Sequence, residues 1–315
     1  MTITPPSTAS AEPAPSKFSG APFDPAAPAV VPLGPTDRAY VYHDPRIVYA
    51  VNVALVTRRP LLVTGTPGSG KSTLAYDVAR QLGWALLPTT ITSRTRIDDL
   101  VARYDAVKRL SDAQLGPVDQ TPGAYLVPGV LWWAFHPDSA GQRSEDLRWN
   151  PAGSALGTVV LLDEIDKAEP DLPNDLLAPL DRYEIDVPLI GKLKAAKGCL
   201  VIITSNGERT MPPAFLRRCV SLELDDTDPE FFIAVATSHC GPRTDTLYRD
   251  VADRTLELIA AADRARRRAP SMAEYLDALH ACLEFDERPG SPLWQRIEEA
   301  ALRKTRAPLS TGEPP

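Results

Sequence analysis

The sequence predicts an α/β fold, with a parallel sheet flanked by helices and a small all-helical domain after it. Near-continuous apolar runs alternate with helical stretches between residues 40 and 224, which is typical of parallel strands buried on both faces. A glycine-rich loop joins the first run to a helical pattern, and beyond residue 225 the apolar spacing becomes wholly helical. The five expected strands cover residues 61–64, 85–91, 159–163, 199–204 and 219–224.

Composition suggests how the 315 residues are organised. Residues 1–36 are dominated by Pro, Ala and Ser, and we predict a disordered tail because they cannot bury enough apolar surface to offset the entropy of ordering. We expect an α/β core at 37–225, a helical lid domain at 226–306 and a loose tail at 307–315. Helix caps are expected at Asp228-Pro229, at Ser291-Pro292 and at Ser271 with Glu274.

The glycine-rich loop is the strongest functional signal in the chain. It reads Gly-Thr-Pro-Gly-Ser-Gly-Lys-Ser over residues 65–72 and follows an apolar strand. Such a loop lets backbone N–H groups wrap around phosphate oxygens at the positive end of the next helix. Lys71 would reach the β- and γ-phosphates, and the Ser72 hydroxyl would ligate Mg²⁺. The predicted phosphate-binding residues are Gly65, Thr66, Pro67, Gly68, Ser69, Gly70, Lys71, Ser72 and Thr73.

A pair of carboxylates ends the third apolar run, at Asp163 and Glu164. A buried strand delivers such a pair to the carboxyl edge of the sheet, beside the phosphate loop. Asp163 would hold Mg²⁺ and Glu164 would polarise the attacking water. Asp166 is better interpreted as a helix-start residue than as a metal ligand.

Two further positions have alternative interpretations. Asn206 follows the fourth strand, where its amide could reach the γ-phosphate or the lytic water, although Asn-Gly is also a common turn. Arg217 and Arg218 precede the fifth strand, where one of them could complete a neighbouring subunit's site as an arginine finger. A pair of solvated surface arginines is the alternative.

The order of these motifs resembles the AAA+ ATPases, and within them the MoxR-type group. The residues that carry the resemblance lie at 65–72, 161–168, 174–177, 204–206 and 216–219, with the stretch Tyr-Leu-Val-Pro-Gly-Val-Leu-Trp-Trp-Ala at 125–134. The resemblance covers about residues 38–285. It implies a sheet of order 5-1-4-3-2, Mg²⁺ and ATP as cofactor and substrate, and Asn206 and Arg218 as sensor and finger. The predicted catalytic residues are thus Lys71, Glu164, Asn206 and Arg218, and the metal ligands are Ser72 and Asp163.

The resemblance also implies biology that the residues alone do not encode. It implies a homo-oligomeric ring, most simply a hexamer, that remodels a client protein in a chaperone-like role. A partner with a von Willebrand factor A domain is often associated with such proteins. The lid departs from the family pattern, because Ala269-Pro270-Ser271 stands where Ser-Pro-Arg is usual. Arg266, Arg267 or Arg268 could substitute as a second sensor, but a solvated basic helix end is the simpler interpretation.

The segment between residues 93 and 150 has room for an inserted hairpin or helix. Arg94, Arg96 and Arg103 could grip a substrate, although ordinary solvated helix residues are the simpler interpretation. Trp132 and Trp133 could cover a partner surface, and core packing is the favoured alternative.

Charge and cysteine usage limit the other classes of function. The net charge of −7 gives no general attraction to nucleic acid or membranes, and no apolar run approaches the roughly 20 residues of a membrane span. One alternative to client remodelling is a nucleic-acid motor or restriction-type NTPase, and the acidic balance argues against it. The other is a non-hydrolysing nucleotide-gated scaffold, and the presence of both Glu164 and Arg218 argues against it. The four scattered cysteines are typical of reduced structural thiols in a cytoplasmic protein.

Overall fold

The computed structural model describes residues 21–26, 40–143, 156–224, 228–265 and 267–303. A five-stranded parallel sheet stands at the centre of this part of the chain, and two short antiparallel pairs, β3 with β4 and β6 with β7, lie apart from it. In chain order the strands are β1 (Leu61–Gly65), β2 (Ala85–Thr90), β3 (Ala102–Tyr104), β4 (Leu126–Pro128), β5 (Gly157–Asp163), β6 (Glu184–Val187), β7 (Gly191–Lys194), β8 (Gly198–Ser205) and β9 (Val220–Leu224).

The helices surround this sheet and then form the C-terminal region. A 3₁₀ turn at Ile165–Lys167 and a π-helical turn at Glu298–Leu302 complete the regular structure described. In this part of the chain, no helix combines the length and the apolar character needed to cross a bilayer. The helices are α1 (Pro45–Thr57), α2 (Lys71–Leu82), α3 (Ile97–Val101), α4 (Ala106–Leu115), α5 (Val130–Phe135), α6 (Pro137–Gly141), α7 (Leu172–Asp175), α8 (Leu177–Arg182), α9 (Pro213–Leu216), α10 (Pro229–Cys240), α11 (Leu247–Ala265), α12 (Met272–Phe285) and α13 (Pro292–Ile297).

The main sheet has the strand order β2-β5-β8-β1-β9, with every neighbouring pair parallel. Counted along the five predicted strands, this is the expected order 5-1-4-3-2, so the predicted fold class is confirmed. Pro88 lies on β2, an edge strand, where a missing backbone donor costs least. The register places Leu162 beside Ile203 and Thr64 beside Ser205, so β5, β8 and β1 end at one edge of the sheet.

Alternation along the central strands divides the core into two apolar layers. Leu62, Val160 and Val201 face a layer built with α3, α5 and α8. Leu61, Val159 and Ile202 face the opposite layer, built with α1 and α2. Both faces of the sheet are therefore covered, as the continuous apolar runs predicted.

Trp132 and Trp133 lie in the first of these layers. Both side chains are fully buried on α5, so core packing is confirmed for the pair. The Trp132 indole N–H donates to the Ser139 hydroxyl at 2.9 Å, which satisfies its polar atom inside the core.

The C-terminal helices α10 to α13 form a third apolar cluster of their own. The predicted caps are present: the Asp228 carboxylate accepts from the Glu230 N–H at 3.0 Å, and the Ser291 hydroxyl accepts from the Trp294 N–H at 3.0 Å. The Glu274 carboxylate accepts from the Ser271 N–H at 2.9 Å. The domain limits at 37–225 and 226–306 stay predictions, since residues 225–227 lie outside the described part.

Three features differ from the sequence-based expectation. Residues 21–26 lie inside the predicted disordered tail over 1–36, yet Phe23 is 1% exposed within the α1–α2 layer. The rest of the two predicted tails, residues 1–20, 27–36 and 307–315, lies outside the described residues. Arg94 and Arg96 lie in the turn before α3 and Arg103 lies on β3, so none of them is a helix residue. The β6–β7 hairpin was not predicted, because its two strands have only four residues each.

Candidate functional site

The phosphate loop closes on itself around the Lys71 side chain. The Lys71 ammonium donates to the Gly65 carbonyl at 2.9 Å and to the Thr66 carbonyl at 2.7 Å, and the residue is buried. Gly70 precedes α2 with φ of +85°, a left-handed conformation that a residue without a side chain adopts at least cost. The loop therefore holds one cation at the N-terminus of a helix, which is the arrangement that binds phosphate.

Gly68 brings this loop into contact with the C-terminal helices. A Cβ atom at Gly68 would lie 2.8 Å from the Ser271 hydroxyl oxygen and 3.4 Å from the Ala273 Cβ. Residue 68 also has φ of +83°, so any side chain there would be strained as well as obstructed. The start of α12 thus packs directly on the phosphate loop.

Asp163 receives two hydroxyl groups at the end of β5. The Ser72 hydroxyl donates to Asp163 Oδ1 at 2.8 Å, and the Thr204 hydroxyl donates to the same oxygen at 2.5 Å. Carboxylate and hydroxyl oxygens are hard ligands of the kind that Mg²⁺ prefers together with phosphate oxygens. The pair Ser72 and Asp163 thus fits a magnesium ion by the chemistry of its donors.

Glu164 has an unusual backbone conformation directly after Asp163. Its φ of 60° and ψ of 51° are left-handed, which is uncommon for a residue with a long side chain. The Glu164 N–H donates to the Thr204 hydroxyl at 2.9 Å, and the Asn206 amide donates to Glu164 Oε1 at 3.4 Å. Backbone strain of this kind persists only where the surroundings enforce it, and it is frequent at functional sites.

Asp166 fixes the loop that carries Asn206. It lies in the 3₁₀ turn after Glu164 and is 2% exposed. One of its carboxylate oxygens accepts from the Asn206 N–H at 3.2 Å and from the Glu208 N–H at 3.1 Å. These contacts position the backbone at Asn206 and Glu208, which agrees with the interpretation of Asp166 as a structural residue rather than a metal ligand.

A cavity of about 400 Å³ opens between the sheet edge and the C-terminal helices. Its two ends differ in chemistry. We call one the phosphate end, lined by residues 67–73 with Asp163, Glu164, Thr204 and Asn206. We call the other the base end, lined by Tyr40, Val41, Phe231, Val235, His239, Met272, Ala273 and Leu276.

The structure brings most of the predicted site residues to the phosphate end. Those that line the cavity are Pro67, Gly68, Ser69, Gly70, Lys71, Ser72, Thr73, Asp163, Glu164 and Asn206. Gly65 and Thr66 lie just behind, where their carbonyl oxygens accept from Lys71.

Arg218 lies apart from the cavity of its own chain. Its guanidinium pairs with the Asp181 carboxylate on α8 and donates to the Ala214 carbonyl at 3.0 Å. The Arg218 side chain is 39% exposed, so it lies at the surface, and Arg217 beside it is exposed too.

The lid arginines do not line the cavity either. Arg268 pairs with Glu274 at 2.8 Å, and both Arg267 and Arg268 are exposed, whereas Arg266 lies outside the described residues. Ser271, where the resemblance implies an arginine, caps α12 through Glu274 instead. For the described arginines, a solvated helix end fits better than a sensor.

Sequence reasoning missed several residues that the site uses. Thr204, which bridges Asp163 and Glu164, could have been suspected from its position at the end of a strand. The base-end residues on α10 and α12 had no local signal, because both helices lie far along the chain from the phosphate loop. Cys199 and Cys219 do not line the cavity, and burial raises the pKa of each thiol to about 12.

Comparison with known proteins places this site in a family. A family model for the AAA domain (dynein-related subfamily) matches residues 60–219. Among solved structures, the Thermotoga maritima RuvB Holliday junction branch migration motor matches with 14% identity and a TM-score of 0.42, covering 81% of this chain and 67% of that chain. Two mutants of the same protein match with 14% and 13% identity and TM-scores of 0.44 and 0.43, covering 81% of this chain and 68% and 67% of theirs.

The matched family model is that of the dynein-related subfamily, and the narrower MoxR-type assignment stays a prediction. The matched stretch contains the phosphate loop, the Asp163–Glu164 pair, Asn206 and Arg218, and it spans just over half of the 315 residues. This chain therefore belongs to the AAA domain family, dynein-related subfamily, and is a P-loop ATPase.

Proposed function

We propose that this protein hydrolyses ATP with Mg²⁺ in a ring of identical subunits and uses the cycle to remodel a client protein. The observation that carries the proposal is the convergence of Lys71, Asp163, Glu164 and Asn206 at one end of one cavity. A cation, a pair of hard oxygen ligands, a carboxylate base and an amide are the groups that phosphoryl transfer to water requires.

Each of these side chains has one task in the proposed reaction. Lys71 offsets charge on the β- and γ-phosphates, and Ser72 and Asp163 hold the metal. The Mg²⁺ ion, when bound, offsets negative charge on the phosphate oxygens. Glu164 accepts a hydrogen bond from the attacking water and aligns it, and Asn206 restrains the Glu164 carboxylate.

The proposal of a ring of subunits rests on the small number of positive side chains in the cavity of one chain. Of the described residues that line the cavity, Lys71 is the one lysine or arginine, so part of the triphosphate's charge stays uncompensated. Arg218 faces outward with an exposed carboxylate, Asp181, as its partner, and can be offered to a neighbouring subunit. We therefore propose that Arg218 acts on the nucleotide of the next subunit, in a hexamer if the ring follows the usual size for this class.

The base end supports a nucleotide as the substrate. Apolar side chains from α10 and α12 face the Tyr40–Val41 segment across the cavity, which suits a flat heterocycle. ATP rather than GTP, a client protein, and a von Willebrand factor A domain partner are taken from the family resemblance. The net charge of −7 supports a protein client over nucleic acid.

Phosphate release by wild-type protein and by Glu164→Gln tests the proposed chemistry. We expect turnover to fall by about 10²–10⁴, because the amide cannot act as a base, while nucleotide binding persists. Glu169→Gln is the matched control, since it makes the same change at an exposed carboxylate five residues along the chain. Equal turnover in wild type and Glu164→Gln would reject Glu164 as the catalytic base.

The client requires a separate experiment. Glu164→Gln protein held with ATP should retain a defined protein partner that Lys71→Ala protein, which cannot hold nucleotide, does not retain. Filter binding to DNA and RNA across a salt series should show only weak retention. Strong, salt-dependent nucleic-acid binding would replace the client proposal with a nucleic-acid motor.

A further inference from the structure

A short piece of the N-terminal region is bound to the nucleotide domain like a peptide ligand. The Phe23 N–H donates to Asn52 Oδ1 at 2.9 Å, and Asn52 Nδ2 donates back to the Phe23 carbonyl at 2.8 Å. The Phe23 ring is fully buried in the layer formed by α1, α2 and one sheet face. Both backbone groups of one residue are thus held by a single amide side chain, while its ring is sequestered.

Phe23 is linked to the cavity through two tyrosines. Its ring centroid lies 5.6 Å from that of Tyr42, and the Tyr42 ring lies 5.0 Å from Tyr40 at an interplanar angle of 65°. Tyr40 lines the cavity, and its Cε2 atom would lie 3.3 Å from a Cβ atom at Gly70. A continuous series of packed rings therefore joins the N-terminal segment to the phosphate loop.

The tyrosines belong to a segment without regular backbone structure. Residues 40–43 have no helix or strand, so side-chain contacts must fix their position. Tyr42 has one polar anchor, since its hydroxyl donates to Asp77 at 2.7 Å on α2. The buried phenyl group of Phe23 also contacts the ring, with centroids 5.6 Å apart. Removing that group would leave a void beside Tyr42, and the ring could shift into it.

We propose that residues 21–26 are an intramolecular ligand that orders the Tyr40 wall of the nucleotide cavity, with Phe23 as the positioning residue. The inference rests on the cavity being the ATP site. Docking of this segment and binding of nucleotide are then coupled, so each strengthens the other by the same factor. Asp163, Glu164 and Asn206 are held by hydrogen bonds from Ser72, Thr204 and one another, so the coupling acts mainly on affinity and leaves the chemical step alone.

The test measures equilibrium binding of a fluorescent ATP analogue to the full chain carrying Glu164→Gln. Phe23→Ala should raise the dissociation constant by about 5-fold to 20-fold, the range of a typical coupling between sites. Asn52→Ala, which removes the backbone clamp and keeps the ring, should raise it in the same direction. Without Glu164→Gln, Phe23→Ala should raise KM for ATP and leave kcat within about twofold of wild type.

Phe285→Ala is the matched control, because it removes the same ring from a 58% exposed position that does not line the cavity. Phe23→Leu, which keeps most of the buried volume, should restore most of the affinity. Circular dichroism and thermal unfolding without nucleotide establish that each variant is folded.

Hydrogen exchange gives a readout that does not depend on activity. Adding ATP to the Glu164→Gln chain should slow exchange at the Phe23 N–H, the donor to Asn52. Unchanged affinity in folded Phe23→Ala together with unchanged exchange would overturn the inference. If Lys71→Ala instead bound nucleotide as tightly as wild type, the proposed function itself would fail, so the two failures are distinguishable.

Discussion

The two ends of the cavity are built by different means. The phosphate end comes from one continuous loop and the tips of two strands that neighbour each other in the sheet, β5 and β8. The base end is assembled from the Tyr40–Val41 segment and from α10 and α12, which begin about 190 and about 230 residues further along the chain. Hydrogen bonds and charge define the first end, and apolar packing defines the second.

This contrast separates two kinds of control. Directional contacts at the phosphate end, such as those of Asp163 and Thr204, position charge for the chemical step, and a small displacement there costs rate. Apolar contacts at the base end are non-directional, so they contribute affinity in proportion to buried area. Apart from Lys71, whose ammonium holds the nucleotide itself, we therefore expect substitutions at the phosphate end to change kcat and those at the base end to change KM.

The largest expected effect tests whether the phosphate end is complete within one subunit. Arg218→Ala should lower turnover by about 10³–10⁵ while nucleotide binding persists, because an arginine finger acts on the transferring charge. Arg217→Ala, at the exposed neighbour, should leave most activity in place. Partial recovery on mixing Arg218→Ala with Glu164→Gln subunits would show action in trans. Full activity of Arg218→Ala alone would mean that one chain supplies all the charge needed.

The next largest effect on turnover is expected at Thr204, whose hydroxyl joins Asp163 to Glu164. Thr204→Val should lower kcat by about 10-fold to 100-fold, as loss of a residue that orients metal ligands does. Since the Glu164 N–H would lose its acceptor, the free energy of unfolding should fall by about 1–3 kcal/mol. Steady-state kinetics and urea unfolding measure the two effects.

Thr89→Val is the matched control for Thr204→Val. In the described part of the chain, the buried Thr89 hydroxyl has no hydrogen-bond partner, so its removal should cost little. A similar loss of kcat in both variants would assign the effect to the sheet rather than to the Thr204 bridge.

A smaller effect is expected at the base end. Leu276→Ala removes apolar surface from the cavity wall and should raise KM for ATP by about 5-fold, with kcat within about twofold of wild type. Leu115→Ala, at an 86% exposed position, is the control. A fall in kcat with KM unchanged would contradict the division of roles between the two ends.

The smallest effect concerns pH and the contact between the Tyr40 segment and α10. His43 stacks on Phe231 with ring centroids 3.6 Å apart, and burial lowers the pKa of His43 below its usual value. The fold therefore favours the neutral imidazole, and the unfolded chain takes up a proton more readily. The contribution of neutral His43 to the free energy of unfolding is fully present above about pH 6.5, and it is lost as the pH falls below that value.

Thermal unfolding at a series of pH values measures this dependence. His43→Phe should flatten the curve between about pH 7 and pH 5, because phenylalanine keeps the stacking and removes the titration. Parallel curves for the two proteins would show that His43 does not carry the dependence. Asp44 and Asp228 are the nearby carboxylates whose charge opposes the effect of burial on the His43 pKa.

Local patterns predicted the sheet well because each pattern has a direct structural cause. The five strands were placed to within two residues, since a parallel strand buried on both faces needs a continuous apolar run. The caps at Asp228, Ser271 and Ser291 could be predicted because the first N–H groups of a helix have no acceptor within the helix and need one from a side chain. Phe23 was missed because the prediction of disorder used the composition of residues 1–36 as a whole, and one buried aromatic residue hardly changes that composition.

The sequence by itself determined the phosphate loop, the carboxylate pair and the positions of the five parallel strands, because each of these features has its own local sequence pattern. Only the tertiary structure decided that Thr204 bridges Asp163 and Glu164, that Phe23 is buried against Tyr42, and which helices close the base end. Those contacts join segments far apart in sequence, and the hydrophobic effect that brings such segments together is non-directional. Which residues meet in these contacts is therefore decided by how their shapes fit in the folded chain, and no local sequence pattern encodes it.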